Sequence, residues 1–267
     1  MRPRHATRVL PALAAALLTA GTAACGGSEP EQQPPAAPPS SAPAPADDAR
    51  IALAARAAAA EDHRFAALYT LEVAGQAPRS VLATVAADGT WRVDIPSGAL
   101  GGTTDVSIAE TAAGVFQCAL PSATNPITPT CVRVADKGKR VPKKYDPKIE
   151  RVFRRWLPVF TDRQSPLSVT AAAPLKGSSG SCYSIDTIST SLSAPVDVGI
   201  YCYADDGLLT AARVRFGTLT IASSAVAPPP TIDLPGPVTG GEPMGLTAPP
   251  PPPVTLEPSA PASAPSA

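Results

Sequence analysis

Between Phe65 and Val73 the chain puts Phe65, Ala67, Tyr69, Leu71 and Val73 on one side and Thr70 and Glu72 on the other. That two-residue period belongs to a half-buried strand, because successive side chains of extended backbone point to opposite faces. Trp91, Val93 and Ile95 alternate in the same way with Thr90, Arg92 and Asp94. A chain built on this period must make a sheet with one buried face and one wet face. Asp88-Gly89 stands between the Val81 to Val85 run and the Trp91 run, and Asp206-Gly207 repeats the signal. Such pairs tolerate the positive φ of a tight hairpin, so the connections are local and antiparallel. Further strands are expected over Val106 to Ala109, Val115 to Leu120, Cys131 to Val134, Leu167 to Ala171, Tyr183 to Ile188, Val198 to Tyr203, Leu208 to Phe216 and Thr218 to Ile221.

Two helices are expected to interrupt the strands. Asp47 to His63 is rich in Ala, with Asp47 or Asp48 as N-cap. In the second, Asp146 caps Pro147 at the first helical position, and Ile149, Val152, Phe153, Trp156 and Leu157 form a broad apolar stripe that Pro158 ends. On that stripe Ile149, Phe153, Trp156 and Leu157 are the candidates to face a cavity, with Arg151, Arg154 and Arg155 pointing outward.

The ends of the chain read differently. Arg2, Arg4 and Arg8 precede an uncharged apolar stretch, Val9 to Ala20, which runs into Gly21-Thr22-Ala23-Ala24-Cys25-Gly26. Positive start, short apolar run and small residues are the layout of a signal peptide, and the run is too short to span a bilayer. The small residues before Cys25 resemble a lipobox, which implies acylation of Cys25 and a lipid anchor on the outer face of the cell membrane. Gly26 to Ala46 and about Thr247 to Ala267 are dominated by Pro, Ala and Ser and cannot bury a core. The first reads as a spacer with a reach of roughly 60 Å in polyproline II. The expected division is 1–24 signal peptide, 25–46 tether, 47–240 folded domain and 241–267 disordered tail.

Once the signal leaves, 19 basic residues stand against 22 acidic ones, which points away from nucleic acid. Cys118, Cys131, Cys182 and Cys202 remain, an even number in an exported chain, so two disulfides are expected. Sequence leaves the pairing open; sequential closure would staple two hairpins. No Cys-x-x-Cys motif occurs and His63 is the only histidine past the signal, so neither a metal nor a cofactor is assigned. Gly177-Ser178-Ser179-Gly180-Ser181 lacks the Lys-Ser/Thr of a phosphate loop, and His63 has no partners for a hydrolase triad, so no enzyme activity is expected. From Arg133 to Arg155 ten basic residues face only Asp136, Asp146 and Glu150. Lys143, Lys144, Arg151 and Arg154 are the candidate contacts to anionic head groups or cell-wall polyanions.

The order of signal and Cys25, leading helix, strand meander, mid-chain helix and returning meander resembles the LolA-type lipoprotein superfamily, which includes the mycobacterial LprG and LppX lipoproteins. Gly199-Ile200-Tyr201-Cys202-Tyr203-Ala204-Asp205-Asp206-Gly207 and Phe216-Gly217-Thr218-Leu219 are similar to actinobacterial lipoproteins of that kind. The resemblance implies an α+β domain, mostly antiparallel β, in which a curved incomplete β-barrel packs on two helices and encloses a cavity for acyl chains. Two functions are therefore carried forward, a carrier of a lipid or other apolar ligand and a membrane-tethered adaptor for another envelope protein or cell-wall polymer. Replacing the acylated residue, Cys25→Ser, is expected to release the protein from the membrane or leave its precursor uncleaved, because the acyl chains supply most of the membrane affinity. Fractionation of cells expressing the variant checks this, and unchanged membrane association contradicts it.

Overall fold

The computed structural model describes residues 46–188 and 194–250. The segments expected as signal peptide and tether, apart from Ala46, and residues 251–267 lie outside the described residues, Cys25 among them. Among the described residues no helix is long and apolar enough to cross a membrane.

The alternating segments become eleven strands: β1 Phe65–Glu72, β2 Arg79–Val85, β3 Trp91–Ala99, β4 Thr104–Thr111, β5 Gly114–Leu120, β6 Thr130–Ala135, β7 Leu167–Ala172, β8 Ser181–Thr187, β9 Gly199–Tyr203, β10 Leu209–Val214 and β11 Gly217–Ile221. All belong to one antiparallel sheet in the order β6-β5-β4-β3-β2-β1-β11-β10-β9-β8-β7. The first six strands and the last five are two meanders, joined where Tyr69 lies opposite Ile221 and Leu71 opposite Leu219. The sheet stays open, with β6 and β7 at its edges. Its inner face contributes Phe65, Tyr69, Leu71, Val81, Trp91, Ile95, Ile108, Tyr183, Tyr201 and Leu219 to a single core, as an incomplete barrel does.

Helix α1, Ala46–Asp62, buries Ala49, Leu53, Ala57 and Ala60, a stripe of mostly small side chains that lets the helix lie close to the sheet. Asp47 and Asp48 lie in the first described turn of this helix. Its Arg50 donates hydrogen bonds to the carbonyls of Leu167, Ser165 and Asp162 at 2.6, 2.8 and 3.0 Å, fixing the entry to β7. At the β9–β10 hairpin Gly207 has φ +86° and lies against the backbone of Ala59 and Ala60, where any Cβ would collide. The four cysteines pair sequentially. Cys118 faces Cys131 across β5 and β6, and Cys182 faces Cys202 across β8 and β9, both with Cα atoms 4.0 Å apart.

The expected mid-chain helix takes another form. Residues 149–152 make a 3-10 turn, and α2 covers only Leu157–Thr161. Lys148 sits in the left-handed region at φ +69°, so no helix runs through from Asp146. Pro158, read in the sequence as the end, lies in the first turn of α2, where its missing N–H costs nothing.

Beyond β11 the chain does not leave the domain. Residues 222–246 form a strap that crosses the outer face and closes one edge. Ala66 and Val226 exchange backbone hydrogen bonds, Ala87 and Asp88 donate to Pro229 and Pro230, and Ile232 packs on Ala86 and Ala109. Leu234 lies on Phe116 and the Cys118–Cys131 pair. The strap then pairs with the free side of β6, where Cys131 N–H donates to Pro237 and Thr239 N–H to the Cys131 carbonyl. Edge strands with unpaired backbone invite association with other chains, and here the protein covers its own. Past residue 240 the buried Gln117 side chain exchanges hydrogen bonds with the backbone of Met244, and Leu246 N–H donates to Lys144. Packing therefore continues about six residues past the expected boundary. Truncation after Ala225 uncovers Ala86, Ala109, Phe116 and the β6 edge; burial of Ile232 and Leu234 alone is worth about 3 kcal/mol. Thermal melting with light scattering is expected to show a lower midpoint and concentration-dependent association, and an unchanged midpoint contradicts the strap's role.

Candidate functional site

Residues 136–166 carry the chain from β6 to β7 across the open side of the sheet, and this crossover holds most of the residues singled out in the sequence. Ile149, Phe153, Trp156 and Leu157 are all buried together in the main core. Phe153 meets Tyr69 edge-on with ring centres 4.9 Å apart; Trp156 and Phe160 both meet Tyr201 edge-on, at 5.9 and 5.2 Å. Edge-to-face pairs of this kind are favourable beyond the area they bury. Tyr69 donates its hydroxyl proton to Leu209 O at 2.8 Å and Tyr201 to Asp197 O at 2.6 Å. Burial pushes the Tyr69, Tyr201 and Tyr203 hydroxyls upward in pKa, so all three stay protonated, although Tyr203 Oη has no hydrogen-bond partner among the described residues. The stripe read from the sequence is thus a plug that fills the inner side. The space left beside Phe153 and Leu157 is about 10 Å³, room for no more than one water.

An apolar recess of about 200 Å³ does open at one end, lined by Leu71, Val73, Ile95, Ile149, Phe216 and Leu246, with Arg79 at its rim. Two larger recesses lie against β10 and β11: one of about 380 Å³ lined by Thr70, Glu72, Lys176, Arg213, Thr218 and Thr220, and one of about 480 Å³ lined by Leu208, Thr210, Ile221 and Ala225.

The basic cluster divides in two. Arg151 and Arg154, expected to face outward, are tied into the fold: Arg151 Nε donates to Asp146 Oδ2 at 2.9 Å, and Arg154 donates to the Glu61 carbonyl at 2.9 Å. Arg155 likewise donates to Gly138 O at 2.7 Å. The reason is the broken helix, which turns these long side chains along the body of the domain toward unsatisfied carbonyls and carboxylates. Lys137, Lys139, Arg140, Lys143 and Lys144 are exposed on the loop that follows β6. Of these Lys144 pairs with Glu242 of the strap while its side chain stays 67% exposed.

Sequence reading missed the carboxylates beneath this loop. Asp146 is 1% and Glu150 2% exposed. In a regular helix Glu150 and Arg154 would share the polar side; the tighter 3-10 turn rotates Glu150 inward. The one available signal is the Asp146 to Arg151 spacing beside an apolar stripe. Burial and the neighbouring Asp146 hold the Glu150 carboxyl well above the usual carboxylate range.

Comparison with models of known protein families, with curated proteins and with solved structures gives no match.

Because Trp156 fills space between Tyr201 and the crossover, Trp156→Ala leaves a hole that only partial relaxation can close. The expected loss is about 3 to 5 kcal/mol in denaturant unfolding. A loss under about 1 kcal/mol would mean that the ring lines open space.

Proposed function

We propose that this chain is a lipid-anchored protein of the cell envelope, resembling the LolA-type lipoproteins in plan, whose folded domain is a non-enzymatic adaptor for an anionic envelope polymer. The observation that carries the reading is the surface of the 136–144 loop, where five cations are exposed over a core that is already filled. An otherwise acidic mature chain that concentrates positive charge on one loop favours an anionic partner, and each cation near such a surface contributes about 1 kcal/mol. The acyl chains on Cys25 would hold the domain at the membrane, and the Pro/Ala-rich tether would let the loop reach away from it.

A carrier of acyl chains is the second reading, favoured by the 200 Å³ recess at Leu71, Ile149 and Phe216 with its cationic rim. Drug-sized ligands occupy pockets of about 300–1,000 Å³, so this recess admits the end of a chain, not a whole lipid. Two measurements separate the readings. Binding to an anionic cell-wall polymer or to anionic vesicles is expected to weaken at least about tenfold in the triple charge reversal Lys137→Glu, Lys139→Glu and Lys143→Glu, and to fall steeply with added salt. Native mass spectrometry of the Cys25→Ser chain, purified without detergent, is expected to give the bare polypeptide mass. Salt-insensitive or absent binding, together with a copurifying lipid, overturns the adaptor and leaves the carrier.

A further inference from the structure

The crossover is fastened over the sheet by a cluster of charges that the adaptor reading does not use. Asp146 accepts the Lys148 N–H at 2.7 Å through Oδ1 and the Arg151 guanidinium through Oδ2, so both carboxylate oxygens are engaged. Glu150 lies beside it with Oε2 buried and without a hydrogen-bond partner. Arg155 Nη2 is also buried without one, and it stands 3.7 Å from Glu110 Oε2. Glu110 in turn accepts the Gly138 N–H at 2.8 Å, while Arg155 Nη1 donates to the Gly138 carbonyl at 2.7 Å. Gly138 is therefore gripped from both sides, and through it the start of the cationic loop. A polar void of about 30 Å³ lies among Arg140, Asp146, Glu150, Arg151 and Arg155, room for one or two waters; Val141, Trp156 and the Ala194–Pro195 segment are its uncharged walls.

We propose that Glu150 is a proton-controlled latch: protonated, it lets the crossover and the 136–144 loop stay clamped, and on losing its proton it draws Arg155 away from Gly138 and frees both. The groups that face it among the described residues are Asp146 and Arg151 on its own segment, Arg155 ahead of α2, Arg140 on the loop after β6, and Glu110 at the end of β4 through Arg155. Arg151 is already committed to Asp146, so a second negative charge here has only Arg155 and Arg140 to answer it. Arg155 Nη2 makes no hydrogen bond among the described residues and is held only by its 3.7 Å pairing with Glu110, so turning toward Glu150 gives up that pairing and the bond to Gly138. The void has room for a water to carry the proton out. Burial and the neighbouring Asp146 raise the pKa of Glu150 above its unfolded value, so the sign is fixed. The contribution of Glu150 to stability is full below the unfolded pKa, near 4.3, and is lost as pH rises through the folded one.

The latch does not need the loop to bind a polymer, and it is tested without one. Hydrogen exchange of the full chain, corrected for the chemical rate, is compared at about pH 5.5 and about pH 8 over residues 136–161. The wild type is expected to lose protection there by roughly tenfold or more at the higher pH. Glu150→Gln, which keeps the shape and cannot ionise, is expected to keep its protection at both. Protection in the wild type that is flat with pH, or a loss that Glu150→Gln shares in full, overturns the latch. Should Glu150→Gln fail to fold, the Glu150 carboxyl carbon of the wild type is titrated by NMR. A midpoint well above the ordinary glutamate range supports the latch, and an ordinary midpoint overturns it.

Discussion

The buried carboxylate of Asp146 sets the course of the crossover that fills the inner side of this sheet. It cannot be left unpaired at 1% exposure, because removing one partner of a buried ion pair typically costs about 3 to 5 kcal/mol. It is answered by Arg151 and by the Lys148 N–H, which requires the backbone to turn at Lys148 instead of continuing a helix from Pro147. The 3-10 turn that follows points Ile149 and Val152 inward and delivers Phe153 and Trp156 to Tyr69 and Tyr201. A local electrostatic demand at Asp146 thus decides how the aromatic side chains of Phe153 and Trp156 pack, and that packing fills the inner side of the sheet.

Two closures at opposite sides of the sheet complement this plug. At β7 the carbonyls before and at the start of the strand are held by Arg50 of α1, a donor fork that bridges three acceptors. At β6 the strap supplies backbone partners and two apolar anchors, Ile232 and Leu234. Proline suits the strap because its fixed φ holds extended chain, and the hydrogen bonds here use proline carbonyls. An open sheet of this length needs such devices, since its edges would otherwise recruit other chains.

What the sequence shows of this arrangement follows from which forces leave a periodic mark. The strands were legible because burial on one face repeats every two residues, and Asp-Gly at 88–89 and 206–207 fixes two of the hairpins. The apolar stripe from Ile149 to Leu157 was legible as a buried face, yet its helix was not, since neither the charge of Asp146 nor the positive φ of Lys148 enters a hydrophobic pattern. The strap was read as a tail past residue 240, because a Pro/Gly-rich composition describes how little such a segment folds alone and not the backbone groups a neighbouring strand offers it. Buried Glu150 was invisible for a related reason: residue type argues for exposure, and only the turn around it places it inside. Arg151, Arg154 and Arg155, expected to point outward, turn along the domain for the same reason.

The central claim is that the inner side of the sheet is filled by the protein's own aromatic side chains. Nuclear Overhauser contacts in the lipid-extracted protein test it directly. The account predicts contacts between the Trp156 and Tyr201 rings and between the Phe153 and Tyr69 rings, whose centres lie 5.9 and 4.9 Å apart. Absence of both, with contacts from these rings to added acyl chains in their place, would contradict it.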